Sequence, residues 1–161
     1  MDRSGRLEQE LPIRAAQAAD IEIICEHRRA MFLDMGHTGR ILDPMIAAFR
    51  PWLKQRLESG EYRGWLAGNG GEVIAGAGLW LMPWPPHLVA PDQPRANILN
   101  VYTKPEWRGR GVARQLMETI LNWCAAQGIR AVILHASDAG KPLYRSMGFE
   151  PTNEMRLILP E

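Results

Sequence analysis

The stretch from Asn97 to Met117, NILNVYTKPEWRGRGVARQLM, constrains this chain more than any other. It opens with Ile98, Leu99, Val101 and Tyr102, which favour extended backbone, and the polar Asn100 is the only interruption. It closes as a helix: Val112, Leu116, Ile120, Trp123 and Cys124 recur at helical spacing, with Arg114, Gln115, Glu118 and Asn122 on the opposite stripe. Between the two, Lys104-Pro-Glu-Trp-Arg-Gly-Arg-Gly111 is a turn rich in glycine and positive charge that leads straight into the helix. The first turn of a helix carries N–H groups without intrahelical partners and the positive end of the dipole, so an anion fits there. Gly109 and Gly111 remove the Cβ atoms that would hold a phosphate off the backbone, and Arg108 and Arg110 add charge. Glycine and charge alone are equally compatible with a solvated loop that merely begins a helix.

The spacing narrows the choice. Arg108-x-x-Gly111-x-Ala113 matches the Arg/Gln-x-x-Gly-x-Gly/Ala signature of the GCN5-related N-acetyltransferases, the GNAT superfamily. Downstream, Leu143-Tyr-Arg-Ser-Met-Gly-Phe149 resembles that family's LYxxxGF segment. Two motifs in this order, joined by a helix and a strand, are more specific than either alone, and the resemblance runs from Ile13 to the C-terminus. It implies an α/β fold, a mixed central sheet flanked by helices with a splayed parallel strand pair that takes acyl-CoA. The implied activity moves an acetyl group from acetyl-CoA to a primary amine of a small molecule or protein, by direct attack in a ternary complex.

The resemblance also assigns roles. Arg108, Gly109, Arg110, Gly111, Val112 and Ala113 would hold the pyrophosphate, chiefly through main-chain N–H groups. Asn100, Val101, Tyr102 and Thr103 would line the splayed strand, whose freed backbone groups meet the pantetheine arm, with an N–H near Val101 or Asn100 steadying the oxyanion. Ser137 and Lys141, with Asp138 and Gly140, follow the next parallel strand and are placed to touch the pantetheine or the 3′-phosphate. Many members carry an asparagine there; this chain does not. Tyr144 is the implied general acid, a phenol of reference pKa about 10 that serves the departing thiolate. The plainer reading packs Tyr144 beside Phe149 with its hydroxyl exposed.

The sequence names no base for the acceptor's proton. Asn100 stands where a carboxylate could have served, leaving His37, His135, Asp34 and Glu72 as candidates, and catalysis by positioning alone is the alternative. The acceptor's expected walls are the Met35–Thr38 connector and the proline-rich loop, with Trp80, Trp84 and His87.

At 161 residues the chain suits one domain, expected over 11–161 behind a loose polar arm at 1–10. A net charge of +1 argues against a mainly electrostatic partner such as duplex DNA. Cys25 and Cys124 fall inside expected helices, with no CxxC and no Cys/His cluster, so no metal is expected. No apolar run approaches the roughly 20 residues that span a bilayer, and the start lacks the apolar centre of a secretion signal, so the expected location is cytoplasmic with no membrane partner. A homodimer through the last strands, as in other such domains, is left open. So is a non-catalytic acyl-CoA-binding module on the same fold; a dinucleotide-binding domain is disfavoured because no early strand carries GxGxxG.

In chain order, Leu11 to Arg14 reads as a short strand and Asp20 as the N-cap of a helix carrying Ile21, Ile24, Cys25, Arg28 and Met31 or Phe32 on one face, stopped at Gly36. Pro51 predicts a kinked second helix or two short ones, 43–49 and 51–59. Tyr62–Ala67 and Val73–Leu81 read as a hairpin across Gly68-Asn-Gly-Gly71, in which Gly76 and Gly78 mark a bulge, a close approach or small residues packed under a helix. Pro83 to Pro94, with five prolines, is a stiffened loop. After the central unit come a strand from Ile129 to His135, a short helix from Ala139 to Met147 stopped by Gly148, and closing strands within Phe149–Leu159. The expected order is β-α-α-β-β-β-α-β-α-β, with a right-handed crossover joining the parallel pair.

Overall fold

A computed structural model describes residues 11–160; the arm expected at 1–10 lies outside them. Strand β1 (Ile13–Ala15) leads through a 3-10 turn into helices α1 (Ile21–Asp34) and α2 (Gly39–Ser59). Strands β2 (Tyr62–Asn69), β3 (Glu72–Met82) and β4 (Arg95–Thr103) follow, then α3 (Val112–Ala126), β5 (Val132–Leu134) and α4 (Lys141–Ser146). The five strands form one sheet in sequence order, antiparallel except for the parallel pair β4–β5.

Helices cover both faces. On one, Ile24, Cys25, Ile46, Phe49 and Leu53 of α1 and α2 pack with Tyr62 and Leu66 of β2. On the other, Val112, Leu116, Met117, Ile120 and Cys124 of α3 pack with Ala67, Ile74, Leu79 and Ile98 of the sheet. Each stripe follows the helical period that its sequence shows. The β2–β3 turn is tighter than the expected four residues. Gly70 (φ +57°) and Gly71 (φ +89°) make it alone, both in the left-handed region that matches strand twist.

Other expectations change as well. Helix α2 is continuous through Pro44 and Pro51 instead of dividing at Arg50. A proline inside a helix leaves the carbonyl four residues back without its donor. Here the buried stripe Leu42, Ile46, Phe49 and Leu53 runs across the proline and is held by packing. The last parallel strand shrinks to Val132–Leu134.

No closing strand forms within 149–159. Met155, Leu157, Ile158 and Leu159 are all at least three-quarters exposed. Their apolar pattern favours extended backbone, but a strand exists only where an edge pairs with it, and the described residues supply none here.

Gly76 and Gly78 are sites of close approach. A Cβ on Gly76 would stand 2.9 Å from Nδ1 of His27, and one on Gly78 would stand 2.0 Å from Oη of Tyr62. They let the rings of His27 and Tyr62 approach the backbone of β3 closely.

Candidate active site

Strand β4 is paired on both sides only for part of its length. Ala96, Asn97 and Ile98 pair with Val132, Ile133 and Leu134 of β5, and from Leu99 to Thr103 that side of β4 has no strand partner among the described residues. At the parting point the register against β3 slips: Gly78 faces Leu99 and Gly76 faces Tyr102, so Asn100 and Val101 together oppose Ala77. This is a β-bulge. Asn100 has φ +57°, the only non-glycine residue with positive φ among the described residues. The extra residue changes which face each side chain takes. Leu99 and Asn100 both reach the α1 side, where Asn100 meets Tyr62, while Val101 packs on the α3 side.

Beyond the bulge, β4 ends at the glycine turn. Gly109 (φ +73°) and Gly111 (φ +88°) are both left-handed, and a Cβ on either would meet nothing within 4 Å. No side chain caps α3, and its first backbone bond runs from the N–H of Gln115 to the carbonyl of Gly111 (3.1 Å). The N–H groups of Gly111 to Arg114 therefore have no backbone acceptor and face a cradle free of Cβ atoms, which suits a diphosphate.

The comparisons with known proteins point the same way. The model of the acetyltransferase (GNAT) family matches residues 23–149. The chain belongs to the GNAT acetyltransferase family. A GCN5-related N-acetyltransferase from Ralstonia eutropha JMP134 is 40% identical with TM-score 0.89, covering 93% of this chain and 99% of that one. A predicted acetyltransferase from Clostridium acetobutylicum, solved with acetyl-CoA, is 25% identical with TM-score 0.86, covering 93% and 96%. Rat N-acetyltransferase 8 is 28% identical over 93 residues, 56% of this chain; the match spans 40% of that relative's length.

On this GNAT framework the expected cofactor residues fall into two groups. Asn100 to Thr103 and Arg108 to Ala113 lie along one path, from the bulge to the mouth of α3. The side chain of Arg108 is engaged elsewhere: Nε donates to the carbonyl of Thr103 (2.9 Å) and Nη2 to the carboxylate of Asp34. It ties the ends of β4 and α1 together. Ser137 and Lys141 sit at the start of α4. Oγ of Ser137 accepts from the N–H of Gly140 (3.2 Å), and Nζ of Lys141 holds Asp138 (2.7 Å). That pair is exposed, and a solvated ion pair is weak enough for Lys141 to turn toward a phosphate.

The packing expected for Tyr144 beside Phe149 is present. Its ring packs edge-on against Phe149 (6.0 Å between centroids) and joins the α3-side core, while its hydroxyl has no hydrogen-bond partner among the described residues. Burial raises its pKa, so the phenol keeps its proton.

None of the four base candidates hydrogen-bonds Asn100 or Val101. Asp34 holds Arg108, Glu72 holds Lys104, His135 contacts Glu154 (3.2 Å) and His37 is exposed beside Phe32. The proposed acceptor walls also separate. Met35–Thr38 follows Asp34 at the site's end of α1, whereas Trp84 and His87 lie in the loop that enters β4 at Arg95. Arg95 is at the opposite end of β4, roughly 17 Å from Asn100 at extended spacing.

The residues that do surround the bulge are His27, Arg28 and Tyr62. Nη1 of Arg28 donates to Oδ1 of Asn100 (2.7 Å), and Nδ2 of Asn100 donates to Oη of Tyr62 (3.2 Å). Burial pushes the phenol of Tyr62 up to about 12. The sequence carried one signal for this cluster: Arg28 is the lone charge on the apolar stripe of α1.

His27 lines a small cavity with Tyr62, Gly76 and Asn100, and its Nε2 is buried without a partner. Burial, aided by the charge of Lys104, lowers its pKa from 6.5 to about 4. A histidine held neutral in the fold but protonated when unfolded contributes stability that is complete above pH 6.5 and lost as pH falls toward about 4. Denaturant midpoints should therefore fall over that window, and His27→Gln should flatten the fall.

Proposed function

We propose that this GNAT protein, acting through residues 11–161 as one domain, transfers an acetyl group from acetyl-CoA to a primary amine by direct attack in a ternary complex. The observation that carries this is the parting of β4 from β5 after Ile98, at a bulge that leads straight to an uncapped, glycine-opened helix. The N–H groups from Gly109 to Ala113 would hold the pyrophosphate, and the unpaired side of β4 from Leu99 to Thr103 would hydrogen-bond the pantetheine. The bound cosubstrate supplies an activated acyl carbon, at which the amine nitrogen forms a C–N bond as the C–S bond breaks.

The chain's residues do the rest. A main-chain N–H of Asn100 or Val101 stabilises negative charge on the acyl oxygen, since the bulge frees it from the β5 ladder. Tyr144 gives its proton to the departing sulfur, and the amine's proton leaves to solvent. No side chain at the bulge is a carboxylate, and His27 is too weakly basic and too deeply buried, so positioning replaces a dedicated base. With no described helix long and apolar enough to cross a membrane, a cytoplasmic setting completes the proposal.

Free-thiol release from acetyl-CoA across a panel of amines tests this: amine-dependent release supports transfer, and acetyl-CoA binding without release for any amine marks a non-catalytic module. Tyr144→Phe should lower kcat by about tenfold to a hundredfold while leaving the Kd for acetyl-CoA within a factor of about two. Unchanged kcat removes Tyr144 from the chemistry.

A further inference from the structure

Partly buried cations in this fold are mostly answered by an anion or a surface ring. Arg56 reaches Glu61, Lys104 reaches Glu72 and Arg114 lies by Glu118. Arg28 forms no ion pair among the described residues, although burial is strong enough to lower its pKa. Its guanidinium lies between the rings of Phe49 (4.5 Å) and Phe32 (5.2 Å). Nη1 holds Asn100 and Nε points at the sulfur of Met45 (3.3 Å), a weak acceptor. Nη2 has no acceptor among the described residues and is not fully sealed from solvent.

A cation in a low-dielectric setting with no counter-charge is a costly arrangement. Rings and an amide oxygen offset part of that cost; a carboxylate would offset more and would match the guanidinium's free edge. The guanidinium stands beside the bulge. Arg28 grips the side chain of Asn100, and the backbone of Asn100 and Val101 is the bulge at which acyl transfer is proposed. A guanidinium there repels polycationic acceptors.

We propose that Arg28 selects the acceptor by binding a carboxylate adjacent to the reacting amine, so the substrates are amino acids or closely related amino-carboxylates. This rests on the acetyl-transfer reading. Rings of Phe32 and Phe49 hold the guanidinium in plane, and Asn100 fixes its tilt, so the carboxylate is received in one orientation that aims the amine at the bulge. Arg28 is thus a specificity residue that touches the acceptor, and its bond to Asn100 couples acceptor binding to the strand.

The test compares matched acceptors by thiol release: phenylalanine against its methyl ester, its amide and phenethylamine, with phosphoethanolamine as the arm for a phosphate. The acid should exceed ester, amide and amine by at least about tenfold in kcat/KM, the range of a charge-assisted bond. Arg28→Gln should erase that ratio mainly through KM, and Arg28→Lys should restore part of it. Circular dichroism and acetyl-CoA titration of both variants report folding, and the acid-to-ester ratio in Arg28→Lys decides if Arg28→Gln is unfolded. Equal rates for acid and ester, a ratio unchanged in a folded variant, or preference for phosphoethanolamine would overturn the assignment alone. Failure of the wild-type protein to take up acetyl-CoA would overturn the acetyl-transfer reading beneath it.

Discussion

Gly111→Val should raise the Kd for acetyl-CoA by at least about a hundredfold, roughly 2.7 kcal/mol, while the protein stays folded. Two effects combine at this residue. Its φ of +88° is one that a β-branched side chain rarely adopts, so valine either strains the backbone by about 1–2 kcal/mol or turns it and misdirects the N–H groups. The new methyl groups would also fill the cradle in front of those donors, which is open now because nothing lies within 4 Å of a Cβ there. The same openness protects the fold, since the side chain meets no neighbour. Calorimetric titration with acetyl-CoA, alongside a thermal melt, separates the two. Unaltered affinity would show that the pyrophosphate is held elsewhere.

At Gly78 the fold itself is the expected casualty. An added Cβ would lie 2.0 Å from Oη, 2.5 Å from Cζ and 2.8 Å from Cε2 of Tyr62, a side chain only 2% exposed. Tyr62 has nowhere to go: its ring is packed in the α1–α2 core and its hydroxyl is tied to Asn100. Gly78→Ala should therefore cost about 3 kcal/mol or more through overpacking, lowering Tm by roughly 6–12 °C for a domain of this size. The displaced ring would drag on Asn100, so acetyl transfer should fall as well. A melting temperature within about 2 °C of the parent would mean that β3 and the ring do not press together as described.

These two glycines also show what a sequence can carry. The strand, turn and helix from Asn97 to Met117 are legible because their signals are local: β-favouring residues, two glycines and a helical apolar stripe lie side by side. The hairpin is legible for the same reason, with Gly70-Gly71 marking its reversal. Gly78 is different. Its neighbour Tyr62 sits on the adjacent strand, and only the register Gly64↔Gly78 and Tyr62↔Trp80 decides that the ring crosses it.

The cluster at the bulge is further still from local reading. Arg28 and Asn100 are 72 positions apart and Asn100 and Tyr62 are 38 apart, so pattern could flag Arg28 as an odd charge without naming its partner. The base candidates stand out only by residue type near expected loops, and three of the four are held in surface contacts with other polar side chains. At Pro51 a local rule against helix yields to a stripe buried on both sides of it. The tail is the converse case: 149–159 has strand-like composition, but pairing is a property of the edge it meets.

One continuous path, from the bulge at Asn100 to the open end of α3, is proposed to receive the whole cosubstrate. A crystal structure grown with a non-hydrolysable acetyl-CoA analogue tests it most directly. The account predicts pyrophosphate oxygens about 2.7–3.2 Å from main-chain nitrogens between Gly109 and Ala113, with the acyl group beside Val101 in the gap that opens past Leu134. An analogue bound on another surface, with those nitrogens untouched, would contradict it.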